Sequence, residues 1–352
     1  METRQTTTTP FTPLKKRFYI PSSPPSSDDE GDESSALPEP TFAPPPPYKQ
    51  QAVVEDDVGL VAEGYNTTTG RTKDTKIGAL RSFNNWVKSM LINTYCPDRG
   101  AVVLDICGGR GGDLHKFGRK NISFLVLADN ARESVVEAEK RYRETGFKFP
   151  AYFICEDCFG VDLSQKLPPG ICFDLVSCQF ALHYSFRNEE SARALLKNVS
   201  ARLRPGCFFV GTTVDSDEFM RRYNRAPGRG FGNSFYNVRD INFEKGSAPG
   251  FGMEYSFLLV ESVPDLKESL VPFEILVRLA REYGLEFVRK ERFSPELQKK
   301  FRAEPRVPRV QGDQWEVCSI YCVFVFRKVY PFKSLEKELL SEEDIRFGSK
   351  YC

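Results

Sequence analysis

The stretch AVVLDICGGRGGDLHKF, residues 101 to 117, constrains the fold of this chain more than any other. An apolar run long enough for one buried strand passes an acid and breaks into four glycines within five positions. Glycine lets backbone turn sharply and approach a ligand closely. Open parallel sheets bind their ligands beyond the carboxyl ends of the strands, where such a turn lies. The segments that follow alternate between two periods. ISFLVLAD, AYFICED, FDLVSCQF and CFFVGTT read as further strands. Helices separate them, beginning near Asp113 and lying in ARESVVEAEKRYRE and NEESARALLKNVSARLRPG, the last ending in Pro-Gly. Upstream, Ile77, Leu80, Phe83, Val87 and Leu91 recur at spacings of three and four, the stripe of an amphipathic helix. PFEILVRLAREYGL and CSIYCVFVFRKV add a late helix and a final strand. This alternation implies an α/β fold with a doubly wound, mostly parallel sheet. A Gly- and aromatic-rich segment, about residues 215–262, interrupts it and is expected to form loops and short strands inserted in the sheet domain.

The turn narrows the ligand by exclusion. CGGRGG does not fit GxxxxGK[ST], so it is not a P-loop. Counted from Gly108, it has Arg110 where GxGxxG needs its second glycine. Acids sit at the ends of three successive strands: Asp105, Asp129 and Asp157. A nicotinamide enzyme would also use an acid at the second strand end to hold ribose hydroxyls. The third acid separates the readings, being placed to meet an adenine amino group. With LRPGCFFVGTT around the fifth strand, the set points to S-adenosylmethionine. Taken singly, the same residues are ordinary turn glycines and solvated strand-end acids.

Charge is unevenly spread over the 352 residues, whose formal net is +1. Residues 1–56 hold five Lys or Arg against nine Asp or Glu, a local net of −4, which leaves the remainder at +5. That modest positive body suits a small anionic ligand better than a long polyanion. The same 56 residues are rich in Pro, Ser, Thr and acid, the composition of a disordered tail. Within it, PLKKRF fits a nuclear import signal and equally a chance run of basic residues. No secretory signal and no apolar run of membrane-spanning length is visible. The ten cysteines, several inside strand-like runs, read as reduced core residues. Cys155 and Cys158 have CxxC spacing but lack a second pair, a weak zinc signal beside the plain core reading.

The chain resembles the cellular mRNA cap guanine-N7 methyltransferases, a class I S-adenosylmethionine-dependent family. VAEGYN, LRSFNNWVKSMLI, VLDICGGRGGDLHKF, SCQFALHYSF, FVGTT, FGNSFY and SIYCVFVF carry the likeness, in the family's order from about residue 60 to 328. It implies a seven-stranded Rossmann-like methyltransferase sheet over residues 57–330, followed by a charged C-terminal tail, 331–352. It further implies S-adenosylmethionine as cofactor, no metal, a monomer and a nuclear location. 5′-Capped pre-mRNA is the implied partner, with other capping enzymes and the transcription machinery as further candidates. The chain departs from the family where Cys107 and Cys207 replace glycines, Arg110 a frequent lysine, and Lys267 a proline. Cys107 is expected to crowd the methionine end of the cofactor.

Roles carried over by this resemblance fall into two groups. Lys88 would contact the methionine carboxylate, held near the pocket by its neighbour Trp86 and a buried helical turn. Cys107 belongs to the cofactor turn, Asp129 would accept from the ribose hydroxyls, and Asp157 from the adenine amino group. Gln179 and Tyr184 would close that end, while Asp113 reads first as a helix N-cap. For the cap, Arg110, Lys116 and Arg141 would meet the triphosphate. Glu268 would accept from guanine N1–H and its N2 amino group. Asn84, Asn85, His183 and Tyr321 would complete the base contacts, with Phe180 as an aromatic wall. Guanine N7 carries a lone pair and no proton, so methyl transfer needs no general base and no catalytic residue is assigned. Alignment and a suitable field would suffice. Two other readings stay open: a class I methyltransferase acting on another RNA or a protein, and a non-catalytic cap-binding scaffold.

Overall fold

The computed structural model describes residues 61–63, 75–305 and 307–329. The expected tails, 1–56 and 331–352, lie outside the described residues. Helix α1 (Gly78–Tyr95) buries Leu80, Phe83, Val87 and Leu91, and Ile77 just before it, so the stripe seen in the sequence is its inner face. There follow β1 (Val102–Ile106), α2 (Leu114–Arg119), β2 (Phe124–Asp129), α3 (Arg132–Thr145), β3 (Ala151–Cys155), β4 (Phe173–Gln179), α4 (Glu189–Ser200) and β5 (Leu203–Val214). After the inserted segment come α6 (Phe273–Glu282), β10 (Leu285–Arg292), α7 (Pro295–Arg302), α8 (Gly312–Cys318) and β11 (Tyr321–Lys328).

The main sheet has seven strands in the order β10-β11-β5-β4-β1-β2-β3, as expected for a doubly wound fold. β1 to β5 pair in parallel, and β11 runs antiparallel to both β5 and β10. Both faces are covered, which is why these strands read as continuous apolar runs. On one face Val103, Leu125, Leu175, Val210 and Val323 pack with the α1 side chains. On the other, Leu104, Val126, Val176, Phe209 and Phe324 pack with α4 and α6 residues such as Leu195 and Leu276. Phe83 anchors α1, its ring edge-on to Phe293, Phe301 and Trp315 at 5.3–5.5 Å.

Three boundaries differ from the sequence reading. α4 stops at Ser200 rather than at Pro-Gly, because Leu203 already pairs with Phe173 at the start of β5. Strand β10 was hidden by its edge position: a register shift between Phe287 and Arg289 breaks its alternation, and Phe287 and Val288 stay exposed. The insert is more ordered than loops. It contains α5 (Ser216–Arg225), whose N-cap Asp215 accepts from Asp217 N and Glu218 N at 3.0 and 3.2 Å. It also forms a four-stranded antiparallel sheet, β6 (Phe231–Gly232), β7 (Tyr236–Arg239), β8 (Glu254–Leu259) and β9 (Val263–Ser269). That sheet continues past residue 262, since β9 pairs with β8 and brings Glu268 opposite Tyr255.

Candidate active site

A cavity of about 350 Å³ opens at the carboxyl ends of β1, β2 and β4, within the size range of small-molecule sites. The glycine turn forms its floor. A Cβ on Gly108 would lie 2.8 Å from Asp105 Oδ2 and 2.7 Å from Leu127 Cγ, so only glycine fits there. Gly109 takes φ +52°, which lets its N–H donate to Asp129 Oδ2 at 2.8 Å, while Ala131 N donates to Oδ1 at 2.9 Å. The turn thereby fixes the carboxylate at the end of β2. Each oxygen keeps a second lone pair for a ligand hydroxyl. Burial raises the pKa of Asp129, opposed by those two backbone donors.

Cys107 begins this turn at φ +58°, a conformation that favours glycine and explains the family's preference. Its side chain lines the cavity but its thiol also lies against Cys158 and Cys178, whose contacts, with burial, push the thiol well above the usual range.

Asp113 takes the expected N-cap position before α2, but its side chain makes no capping hydrogen bond. Its carboxylate instead joins Lys88 Nζ at 2.9 Å and Lys116 Nζ at 2.7 Å. Burial opposes its ionisation, yet the two ammonium groups outweigh burial and hold its pKa below the ordinary value. Asp105 has the reverse balance. It is buried, faces the negative charge of Asp113, and has its pKa raised to about 8. Its Oδ2 makes no hydrogen bond among the described residues, although Asp105 lines the cavity.

At the other end stand Asn84, Phe180, His183, Glu268 and Tyr321. Glu268 is 3% exposed, so a free carboxylate there would be costly without partners. Tyr255 OH donates to its Oε2 at 2.8 Å, and His183 Nε2 lies 3.4 Å from Oε1. Neither His183 nitrogen nor Asn84 Oδ1 makes a hydrogen bond among the described residues. Phe180 meets Tyr321 edge-on at 5.0 Å and holds φ +59°, backbone strain of the kind that clusters at functional sites. On β4, Gln179 accepts from Thr212 Oγ1 and donates to Ser177 Oγ, each at 3.2 Å. Tyr184 packs on His183 at 4.3 Å.

Of the fourteen residues expected at the site, twelve line this one cavity. They are Asn84, Asn85, Lys88, Cys107, Arg110, Asp129, Arg141, Gln179, His183, Tyr184, Glu268 and Tyr321. Arg141 also pairs with Glu137 at 2.9 Å. Two residues are elsewhere. Asp157 is not among the lining residues; its Oδ1 accepts from Phe159 N at 2.9 Å, closing its own turn, and its Oδ2 lies 3.8 Å from Arg187. Phe159 and Arg187 reach the cavity in its place. Lys116 turns inward to Asp113 and borders a neighbouring concavity. Sequence reasoning gave no role to Arg187, to Tyr255 behind Glu268, or to the free oxygen of Asp105. Tyr255 was detectable only through the strand register that sets it opposite Glu268. No group of three or more His, Cys, Asp or Glu side chains able to hold a metal ion occurs among the described residues.

These donors and acceptors fit S-adenosylmethionine: a fixed acid for ribose, a lysine for its carboxylate, and the unpartnered Asp105 oxygen for its amino group. The strand order, the glycine turn after β1 and the acid ending β2 define a class I methyltransferase. Residues 48–329 match the mRNA (guanine-N(7))-methyltransferase domain. The chain is 36% identical over 301 residues to mRNA cap guanine-N(7) methyltransferase 1 of Arabidopsis thaliana, covering 76% of this chain and 80% of that protein. With the mRNA cap guanine-N(7) methyltransferase of Saccharomyces cerevisiae it shares 36% over 305 residues, 77% and 70% of the two chains. The corresponding protein of Schizosaccharomyces pombe gives 36% over 270 residues, 71% and 75%. The chain belongs to the mRNA (guanine-N(7))-methyltransferase family, whose members use S-adenosylmethionine.

Proposed function

We propose that this chain transfers a methyl group from S-adenosylmethionine to N7 of the terminal guanine of GpppN-capped RNA. The observation that carries the reading is the buried pair Glu268 and His183, with Asn84, opening on the same cavity as the glycine turn and Asp129. A carboxylate can accept from guanine N1–H and the N2 amino group together, and Phe180 and Tyr321 supply aromatic faces beside it. In this assignment Lys88, Asp105, Asp129, Gln179 and Tyr184 hold the cofactor, with Phe159 taking the adenine side in place of Asp157. Arg110 and Arg141 meet the triphosphate. The cofactor supplies an electrophilic methyl group on a positively charged sulfur. The residues' task is to set N7 in line with it and to keep bulk water from competing. N7 has no proton to lose, so no side chain acts as a base. A nuclear site of action, a monomeric state, and other capping enzymes and the transcription machinery as partners complete the proposal.

Calorimetric titration with S-adenosylmethionine and with GpppG, separately and then together, tests the reading. Binding of both is expected, each compatible with the other. Cap binding without cofactor binding would favour a scaffold. Cofactor binding without cap binding would favour a different methyl acceptor.

A further inference from the structure

A second concavity lies between α1 and α2, beside the main cavity, and nothing so far accounts for it. Asn85 and Gly112 line both, so the two share a wall. The remainder of the second is lined by Trp86, His115, Lys116 and Arg119 among others, none of them acidic. The main cavity, by contrast, includes Asp105, Asp113, Asp129 and Glu268. His115 and Arg119 are both exposed. His115 meets Phe147 edge-on at 5.2 Å. Lys116 forms the ridge between the two: its Nζ donates to Asn85 Oδ1 and Gly112 O at 3.1 Å each and pairs with Asp113 at 2.7 Å. Because Lys88 shares that same carboxylate, the cluster retains a net positive charge.

From this juxtaposition we infer that the concavity is the track for the RNA immediately downstream of the cap, an inference that rests on the function proposed above. A capped transcript leaves the guanine pocket as a triphosphate, which Arg110 meets on one side of Gly112, and continues as a ribose-phosphate chain carrying bases. The groove on the far side of Gly112 offers what such a chain needs. Arg119 and the Lys116 cluster supply positive charge for phosphates, and the rings of Trp86 and His115 supply flat faces for a base. Guanidinium and aromatic groups read every nucleotide alike, so the track grips RNA without selecting its sequence. Lys116, spent on internal bonds, fixes the ridge, while Arg119 and His115 make the outward contacts.

The test compares wild type with the double variant His115→Ala/Arg119→Ala; neither residue lines the cofactor or guanine pocket. Fluorescence anisotropy measures affinity for the GpppA dinucleotide and for a GpppA-capped hexanucleotide RNA. Wild type should bind the hexanucleotide more tightly, by roughly tenfold at low salt, with a steeper salt dependence. The variant should lose most of that advantage, and its salt slope should fall by about 1 for the lost phosphate contact. Its affinities for the dinucleotide and S-adenosylmethionine should stay at wild-type values. An equal hexanucleotide advantage in both proteins, or no advantage in wild type, overturns the track. Failure of the dinucleotide itself to bind wild type would overturn the proposed function instead. Arg119→Glu gives an independent reading, since reversing the charge should penalise the hexanucleotide further.

Discussion

Glu268→Gln isolates the contact on which guanine recognition turns. In the native site Tyr255 OH donates to Oε2, leaving Oε1 toward His183 and the cavity. Glutamine should keep its carbonyl oxygen on the Tyr255 hydroxyl, which places its NH₂ where Oε1 was. A donor then faces the guanine N–H groups, and one charge-assisted hydrogen bond is lost. Such a bond contributes about 1.5–3 kcal/mol, so cap affinity should fall roughly 10- to 150-fold. The side chain is isosteric and its tyrosine partner remains, so a thermal midpoint shifted by no more than about 4 °C is expected. Calorimetry with GpppG and with inosine-capped IpppG, which lacks the N2 amino group, separates recognition from structure. Wild type should prefer guanine over inosine, and the variant should lose most of that preference, with cofactor affinity unchanged. If the preference for guanine is the same in both proteins, Glu268 does not read the base and the orientation assigned to the cap is wrong.

Asp129→Ala should leave the protein folded but weaken S-adenosylmethionine binding by at least about tenfold, because a charged acceptor is lost; unaltered calorimetric affinity would remove Asp129 from the site. Arg110→Ala should weaken capped-RNA binding by roughly 1.5–3 kcal/mol while cofactor affinity changes little, and equal losses in both titrations would end the division of the turn between two substrates. Asp105, raised to about 8 by burial and by Asp113, makes its stability contribution below its ordinary carboxylate range and loses it as pH rises toward 8. In the free protein Asp105→Asn should therefore flatten the decline in denaturation midpoint between about pH 5 and 8, and a slope unchanged by the substitution would contradict the assignment. If the amino group of the cofactor approaches Asp105, binding near pH 7 should release a proton, seen as an enthalpy that varies with the ionisation heat of the buffer.

The parts of this molecule legible in sequence are those whose signals are local. The α1 stripe, the apolar strands and the glycine turn follow from residues close in the chain, and all took their expected places. Twelve site residues were found together because strand ends in a doubly wound sheet converge on one edge. What sequence did not show depends on contacts between distant segments. Asp113 has the look of an N-cap, yet Lys88, 25 positions earlier, claims its carboxylate. Asp157 reads as the end of a strand like Asp129, but β3 stops at Cys155 and Asp157 lies in the turn beyond, where it accepts from Phe159 N. The fate of the Cys107 thiol depends on Cys158 and Cys178, each from another part of the sheet edge. The order of the insert was masked by its glycines, although Tyr236, Val238, Tyr255 and Phe257 all point into the core.

Alignment alone should bring the methyl group to N7. Incubating the purified protein with labelled S-adenosylmethionine and either GpppA-capped RNA or the same RNA capped with 7-deazaguanosine tests this directly. After digestion, all label from the first RNA should appear as 7-methylguanosine, and none should enter the second, whose carbon at position 7 offers no lone pair. Label on the deaza cap, on a ribose hydroxyl or on an internal base would contradict the orientation derived from Glu268, His183 and the glycine turn.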